Sequence, residues 1–313
     1  MPPNISKFID WVRELFKHRR GKHATATGAT KDSISRTQWY SRIAFSSIQT
    51  DEIVSLAHAE DLHCLDFTID KAQFDNWRAS CEDAYPRPDP ESIPSDIRGI
   101  ADSLRTEKFL EYFTTLSLAK IRQGAVIADI GSAQSSFLEL VVNKFDVAGW
   151  AVDPSLAGLK SEHPKISFLP ELISVAANQL PTLDAVFLHC SFEMFEPVEM
   201  EAMIRVAAQK LAVGGRLIIA PLYLEDARTI YLDLDKEASP ERLASGSELV
   251  NLVHVRDYWG LDWSEWLSPK DLAVRLVRPF GGLAFTLYRV TNSAEIDPKA
   301  FLRFVGVWEK SNV

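Results

Sequence analysis

Between Leu104 and Ala220 short apolar runs alternate with amphipathic helical segments, and that alternation leaves few folds open. Leu104 to Ile121 has helical spacing, with Leu110, Phe113, Leu116 and Leu118 near one face, and Gly124 ends it. Ala125 to Ile130 reads as a strand, and Gly131 to Ser135 as a turn of small residues. A helix follows through Phe137, Leu138, Leu140 and Val141. Further strands are predicted over Gly149 to Asp153, Ile166 to Leu169 and Leu183 to His189. Glu196 to Leu211 is a strong amphipathic helix on Ala202, Met203, Val206, Ala207 and Leu211. Gly214-Gly215 is expected to cap it ahead of a fifth strand, Arg216 to Ala220. Connections this short imply right-handed crossovers and a parallel sheet covered on both faces. Leu283 to Val290 and Phe301 to Trp308 then read as two strands joined by a polar, Pro-containing loop, a late antiparallel pair. The expected fold is a doubly wound α/β three-layer sandwich, mostly parallel, finishing in that pair.

The rest of the 313-residue chain is less regular. Ile5, Phe8, Ile9, Val12, Leu15 and Phe16 form a helical stripe that runs into Lys17-His18-Arg19-Arg20-Gly21-Lys22-His23. Residues 1–23 carry six Lys/Arg and two acids, a local charge of +4, so the other 290 residues of this chain of net charge -9 sum to -13. A protein living on phosphate contacts is usually basic, so nucleic acid is disfavoured as the main partner. Residues 5–23 could lie on an anionic membrane surface, or dock on the body or on a second subunit. Ala24 to Ser35 reads as a flexible linker, residues 37–84 give no single pattern, and four prolines in Pro86 to Pro94 mark a boundary or an extended loop. The predicted organisation is a basic helix over 1–23 and a mainly helical extension over 24–99. An α/β body follows over 100–313, with an insertion at about 222–282.

Cys64, Cys81 and Cys190 make no C-x-x-C pair and are odd in number, which indicates neither a disulfide framework nor a zinc knuckle, and no metal is expected. No apolar run approaches the roughly 18 residues of a membrane span, and no signal peptide is read at the N-terminus. The expected compartment is the cytoplasm, with peripheral membrane contact left open.

The chemistry concentrates in Val126 to Phe137. A strand feeding a turn of small residues lets a ligand lie against backbone N–H groups at the start of the next helix. Asp129 sits at the carboxyl end of its strand, in the usual ligand crevice of an open α/β sheet. Asp153 closes the next strand, 22 residues after Gly131, where a carboxylate can accept hydrogen bonds from both hydroxyls of a ribose.

The run as a whole resembles the class I S-adenosylmethionine-dependent methyltransferase family, a Rossmann-like fold, over roughly residues 100–310. The matching pieces are Asp129-Ile130-Gly131-Ser132-Ala133-Gln134-Ser135, Val152-Asp153-Pro154-Ser155, Pro170-Glu171-Leu172, Leu183 to Ser191 and Leu211 to Ile219. The helix around Glu107-Lys108-Phe109-Leu110-Glu111-Tyr112 sits where such enzymes often cover the cofactor. The resemblance implies that Asp129, Gly131, Ser132 and Ala133 face the methionine part of the cofactor. It also implies that Asp153, followed by Pro154, takes the ribose, that Glu171 or Leu172 flanks the adenine, and that His189 borders the methyl group. Ala133 and Ser135 depart from the glycines usual there; both are small, and a position needing positive φ would be strained. The implied reaction is methyl transfer to a hydroxyl of a small molecule or saccharide. His189 and Glu193, and His254 and Asp257 in the insertion, are the candidate catalytic residues. Tyr258, Trp259, Trp263 and Trp266 could stack on a sugar or aromatic acceptor, or form a satellite core. Two other readings stay open: a non-catalytic binding protein with a degraded cofactor turn, and an NAD-dependent oxidoreductase, whose G-x-G-x-x-G fingerprint this chain lacks.

Overall fold

The computed structural model describes residues 47–81, 98–132, 137–233, 248–252, 263–298 and 300–312. The expected basic helix and linker, the Pro-rich stretch, Ala133, Ser135, His254, Asp257, Tyr258 and Trp259 lie outside these residues. In chain order the elements are α1 (Ser47–Ala59), β1 (Cys64–Phe67), α2 (Lys71–Cys81), α3 (Arg98–Ala119), β2 (Val126–Ile130) and α4 (Phe137–Phe145). Then come β3 (Ala148–Val152), β4 (Ile166–Leu169), α5 (Ile173–Ala176), β5 (Leu183–His189), α6 (Pro197–Lys210) and β6 (Leu211–Ala220). β7 (Thr229–Asp233), β8 (Glu248–Leu252) and β9 (Trp263–Trp266) follow. Next is α7, which opens at Pro269–Asp271 and continues as a π-helix over Leu272–Val277. β10 (Leu283–Val290), α8 (Ser293–Ile296) and β11 (Phe304–Lys310) complete the order.

Among the described residues the main sheet has eight strands in the order β1-β10-β11-β6-β5-β2-β3-β4. All run parallel except β11, which is inserted antiparallel between β6 and β10. This is the Rossmann-like, doubly wound sheet with its late antiparallel pair. The order reverses beside β2, between β3 and β5, which is where an open α/β sheet leaves its ligand crevice.

Two-residue periodicity sorts the central strands between two cores. Ala128, Ile130, Val186, Leu188, Leu217 and Ile219 point to one layer, which also holds Met200, Met203 and Ile204 of α6. Ile127, Ala185, Phe187, Ile218 and Ala220 point to the other, with Phe109 and Leu110 of α3 and Phe137 and Val141 of α4. Strands buried on both faces read as continuous apolar runs, which is why β2 and β5 are visible in the sequence.

Gly214 and Gly215 correct the expectation that they cap the helix before β6. α6 ends at Lys210, Leu211 is already extended, and both glycines lie inside β6. Gly214 has φ +76, and the pairing jumps from Leu183↔Leu211 to Ala185↔Arg216. The extra residues bulge there. A Cβ on Gly215 would stand 2.9 Å from the Ala212 carbonyl and 3.0 Å from that of Asp184, so the bulge requires glycine.

Within residues 24–99, β1 extends the main sheet by pairing with β10. The Asn292 side chain clamps the segment behind β1, accepting from Ile69 N at 2.9 Å and donating to Ile69 O at 2.9 Å. In the segment around 222–282 a small sheet is ordered β8-β7-β9. It is tied down by a buried carboxylate: Glu265 of β9 holds Arg228 at 2.8 Å and Arg275 of the π-helix at 3.4 Å. Ser268 caps α7 by accepting from Asp271 N at 3.1 Å. Among the described residues no helix is long and apolar enough to cross a membrane.

Candidate functional site

Alternation along β2 and β5 turns Asp129 and His189 to the α3 side of the sheet, in step with Ile127 and Phe187. There the His189 Nδ1 lies 3.5 Å from Asp129 Oδ1, and both side chains are almost fully buried. Nε2 of His189 is 3.1 Å from the Thr115 hydroxyl of α3. The ring is enclosed by Tyr112 at 4.9 Å and Phe137 at 4.3 Å between centroids. The imidazole is thus gripped by α3 and β2.

Gly131 follows β2 with φ +65, and its N–H donates to Val152 O at 2.8 Å. A Cβ there would stand 2.6 Å from Ser191 Cβ, so the close passage of the turn beside β5 needs glycine. Ser132 is buried behind it, and the Ser191 hydroxyl donates to Ile130 O at 3.3 Å. At the end of β3, half-buried Asp153 caps the turn Pro154–Leu156 by accepting from Ser155 N at 2.8 Å. Beyond β4, Glu171 is half-buried and Leu172 is exposed. Asp129, Gly131, Ser132, Asp153, Pro154, Glu171 and Leu172 therefore follow one another along the carboxyl ends of β2, β3 and β4.

A second group lies past the end of β5. Cys190 has φ +47, unusual for a residue with a side chain. Its thiol donates to Glu111 Oε1 at 3.1 Å and lies 3.7 Å from the Tyr223 hydroxyl. Glu111 is fully buried and takes Lys108 Nζ at 2.8 Å on its other oxygen. Glu107, one turn earlier on α3, is buried and accepts from Phe301 N at 3.1 Å. Glu193 sits on the turn Phe192–Met194, which packs beside β9. It is 2% exposed, and neither carboxylate oxygen has a hydrogen-bond partner in another residue.

Burial pushes the Glu193 carboxyl up to about 8, with the Glu193 backbone and Lys108 opposing and Glu111 adding to the rise. Burial, followed by the charge of Glu111, likewise raises Glu107 to about 8. Burial also holds the Cys190 thiol and the Tyr223 hydroxyl well above their ordinary values. Aromatic rings wall this group. Tyr223 stacks on Trp266 at 4.9 Å and on Phe301 at 5.4 Å, and Tyr231 meets Trp266 edge-on at 5.0 Å. Of the four aromatics noted in the insertion, Trp266 is part of this wall, fully buried, and Trp263 is half-buried. Among the described residues no group of three or more His, Cys, Asp or Glu is placed to hold a metal ion.

No family model matches the chain, and no curated protein does. Its fold is similar to those of several methyltransferases of known structure. One is a chain from the "Complex between the Haloferax volcanii Trm112 methyltransferase activator and the putative methyltransferase". It is 14% identical with a TM-score of 0.43, over 68% of this chain and 93% of that one. The glycopeptide N-methyltransferase MtfA complexed with sinefungin gives 11% identity and a TM-score of 0.44, over 64% and 86%. The cyclopropane synthase MmaA2 from Mycobacterium tuberculosis gives 15% and 0.30, over 40% of this chain and 43% of its own length. At these values the likeness is one of fold alone, and function has to be argued from the strand order and the site residues.

Glu193 was expected at the site, but Glu107, Lys108, Glu111, Cys190 and Tyr223 were not singled out for chemistry. One signal pointed to the helix residues. Glu107 and Glu111 stand four apart on α3, on a face whose later members Thr114, Thr115 and Leu118 are buried. Carboxylates in such a stripe are not surface charges.

Proposed function

We propose that the chain is an S-adenosylmethionine-dependent methyltransferase acting on a small acceptor held between Glu193, Tyr223 and α3. The observation that carries the reading is the row Asp129, Gly131, Asp153 at the carboxyl ends of β2 and β3, beside the point where the strand order reverses, in a sheet whose last strand is antiparallel. The residues fit the cofactor. The left-handed Gly131 removes a side chain from the crevice, the half-buried Asp153 offers a carboxylate to a ribose, and exposed Leu172 offers an apolar face to a purine. Bound there, S-adenosylmethionine would supply an electrophilic methyl group on a sulfonium sulfur.

In this reading Gly131, Ser132 and Ala133 line the methionine part with Asp129, Asp153 and Pro154 hold the ribose, and Glu171 or Leu172 flanks the adenine. His189, hydrogen-bonded to Thr115 and 3.5 Å from Asp129, keeps the floor of the crevice in place at the methyl end. His254 and Asp257 remain acceptor-pocket candidates on sequence grounds. Aligning the acceptor with the methyl supplies much of the acceleration. The acceptor, a hydroxyl as expected from the sequence or an amine, must lose a proton, and Glu193 is the group that takes it. A carboxyl titrating near 8 is poised for this. Turnover should therefore rise with pH as Glu193 ionises and level off above about 8, and Glu193→Gln should remove the rise together with most of the rate. Asp129 stands 3.5 Å from His189 Nδ1, and Asp129→Asn should cause a milder loss of turnover than Glu193→Gln.

The decisive measurement is calorimetric titration with S-adenosylhomocysteine. Saturable binding is expected, weakened by on the order of 1–3 kcal/mol in Asp153→Ala, while NAD should neither bind nor compete. No binding would leave a non-catalytic protein, and competition by NAD would favour an oxidoreductase. We further assign the chain to the cytoplasm. The +4 charge of residues 1–23 is the reason to compare vesicle binding of the full chain with that of a chain lacking them.

A further inference from the structure

We infer that the acceptor is an amine with an apolar or aromatic body, bound as its ammonium ion and methylated on nitrogen, with Glu193 as its counter-charge. The inference rests on the methyl-transfer reading and adds the acceptor atom. Three buried carboxyls, Glu107, Glu111 and Glu193, face one ammonium, that of the partly exposed Lys108. Lys108 is already committed to Glu111 at 2.8 Å, and Glu107 accepts from the Phe301 N–H. Glu193 alone is left with two buried oxygens and no partner in another residue. A buried carboxylate without a partner is costly, and a cation is what completes it.

The neighbouring groups decide between nitrogen and oxygen. A hydroxyl acceptor develops negative charge on oxygen as it is activated, and this site meets it with the carboxyls of Glu111 and Glu193, while the Cys190 thiol and the Lys108 ammonium, which could stabilise an oxyanion, are both given to Glu111 and only the Tyr223 O–H is left to donate. An ammonium ion arriving in the same place finds the opposite charge and the aromatic rings of Tyr223 and Trp266. Two further cations lie beside this group, each over a ring. Arg303 lies over the Phe301 ring at 4.6 Å and is drawn by Glu225 and Tyr231; Arg105 lies over Phe109 at 4.8 Å. Asp297 acts on Glu107.

The proton balance closes. The bound ammonium gives one proton to ionised Glu193 and becomes the free amine. Its lone pair then forms the N–C bond to the methyl group while the C–S bond breaks with its electrons left on sulfur. The methylated nitrogen carries the positive charge out, and Glu193 returns its proton to water.

The test uses the full chain without any methyl donor, titrated at pH 8 with benzylamine, benzyltrimethylammonium and benzyl alcohol and followed by calorimetry. Both cations should bind at least ten-fold tighter than the alcohol. Glu193→Gln, which keeps the shape of the side chain, should erase most of that preference and leave the alcohol unchanged. Lowering the pH should weaken cation binding as Glu193 takes up its proton. Equal or tighter binding of the alcohol, a preference that survives Glu193→Gln, or no saturable binding of any probe overturns the inference. Because these titrations contain no donor, they separate from the S-adenosylhomocysteine titration. Cofactor binding without a cation preference sinks the amine alone, and a cation preference without cofactor binding sinks methyl transfer.

Discussion

Two residues in left-handed backbone frame the crevice, and they do so for different reasons. At Gly131 the φ of +65 and the Ser191 Cβ only 2.6 Å from where a Cβ would sit exclude any side chain. Gly131→Ala should cost at least about 1–2 kcal/mol from the backbone alone. A further loss from the clash should be partly recovered by Ser191→Gly, as a thermal-melt double-mutant cycle would read. Cys190 keeps a side chain at φ +47 and donates its thiol to Glu111 at 3.1 Å, so its strain accompanies a contact inside the acidic group. Asp153 can be dissected in the same spirit. Asn retains an oxygen for Ser155 N and so the cap, and any fall in cofactor affinity in Asp153→Asn beyond that of the fold isolates the charge. At this scale the sequence exposed the residues on strand ends, Asp129, Asp153 and His189, because strand ends are set by periodicity. It hid Tyr223 and Cys190, whose roles depend on which helix covers them.

At the level of elements, the antiparallel insertion of β11 is what Trp308 secures. Its ring is fully buried against Phe285 at 4.6 Å, and its Nε1–H donates to Leu276 O in the π-helix at 3.0 Å. Trp308→Ala should lower stability by about 3–5 kcal/mol. Trp308→Phe should keep much of the packing and lose about 1 kcal/mol for the stranded carbonyl, both measurable by urea unfolding. β2 to β5 and the pair β10 and β11 were legible because each is an apolar run of strand length bounded by turn residues. The Gly214-Gly215 pair misled because a glycine pair after a helix reads as its cap, and only the pairing with β5 reveals a bulge. Residues 47–81 resisted prediction for a related reason: β1 is a four-residue edge strand with mixed burial, stabilised by β10, more than 200 positions away.

For the whole molecule, the acidic group beyond β5 sets a pH dependence of stability. Glu107 and Glu193 have folded values near 8 against an ordinary 4.5. Below about 4.5 both states hold these protons; between there and 8 the folded chain keeps what the unfolded chain releases. Their contribution therefore falls as pH rises through that window and levels off above it. Denaturant midpoints of Glu107→Gln/Glu193→Gln should show a flatter decline than wild type. Net charge, which bears only on classes of partner, carried no trace of this: Glu107 and Glu193 are indistinguishable by composition from the 41 other Asp and Glu residues.

The bridge Arg228–Glu265–Arg275 also constrains how this sequence can drift. Glu265 is the carboxylate that both guanidiniums share, and it lies with Arg228 out of reach of water. Losing it alone would strand the buried Arg228 and leave Arg275 with only Glu201, at 3.5 Å, and losing one arginine alone would change the balance for the other. These three positions, spread over 48 residues and three separate segments, are tied into a single heritable unit. Descendants of this chain should keep all three or exchange them together for uncharged residues, so an aligned set in which they vary independently would show that the bridge is dispensable.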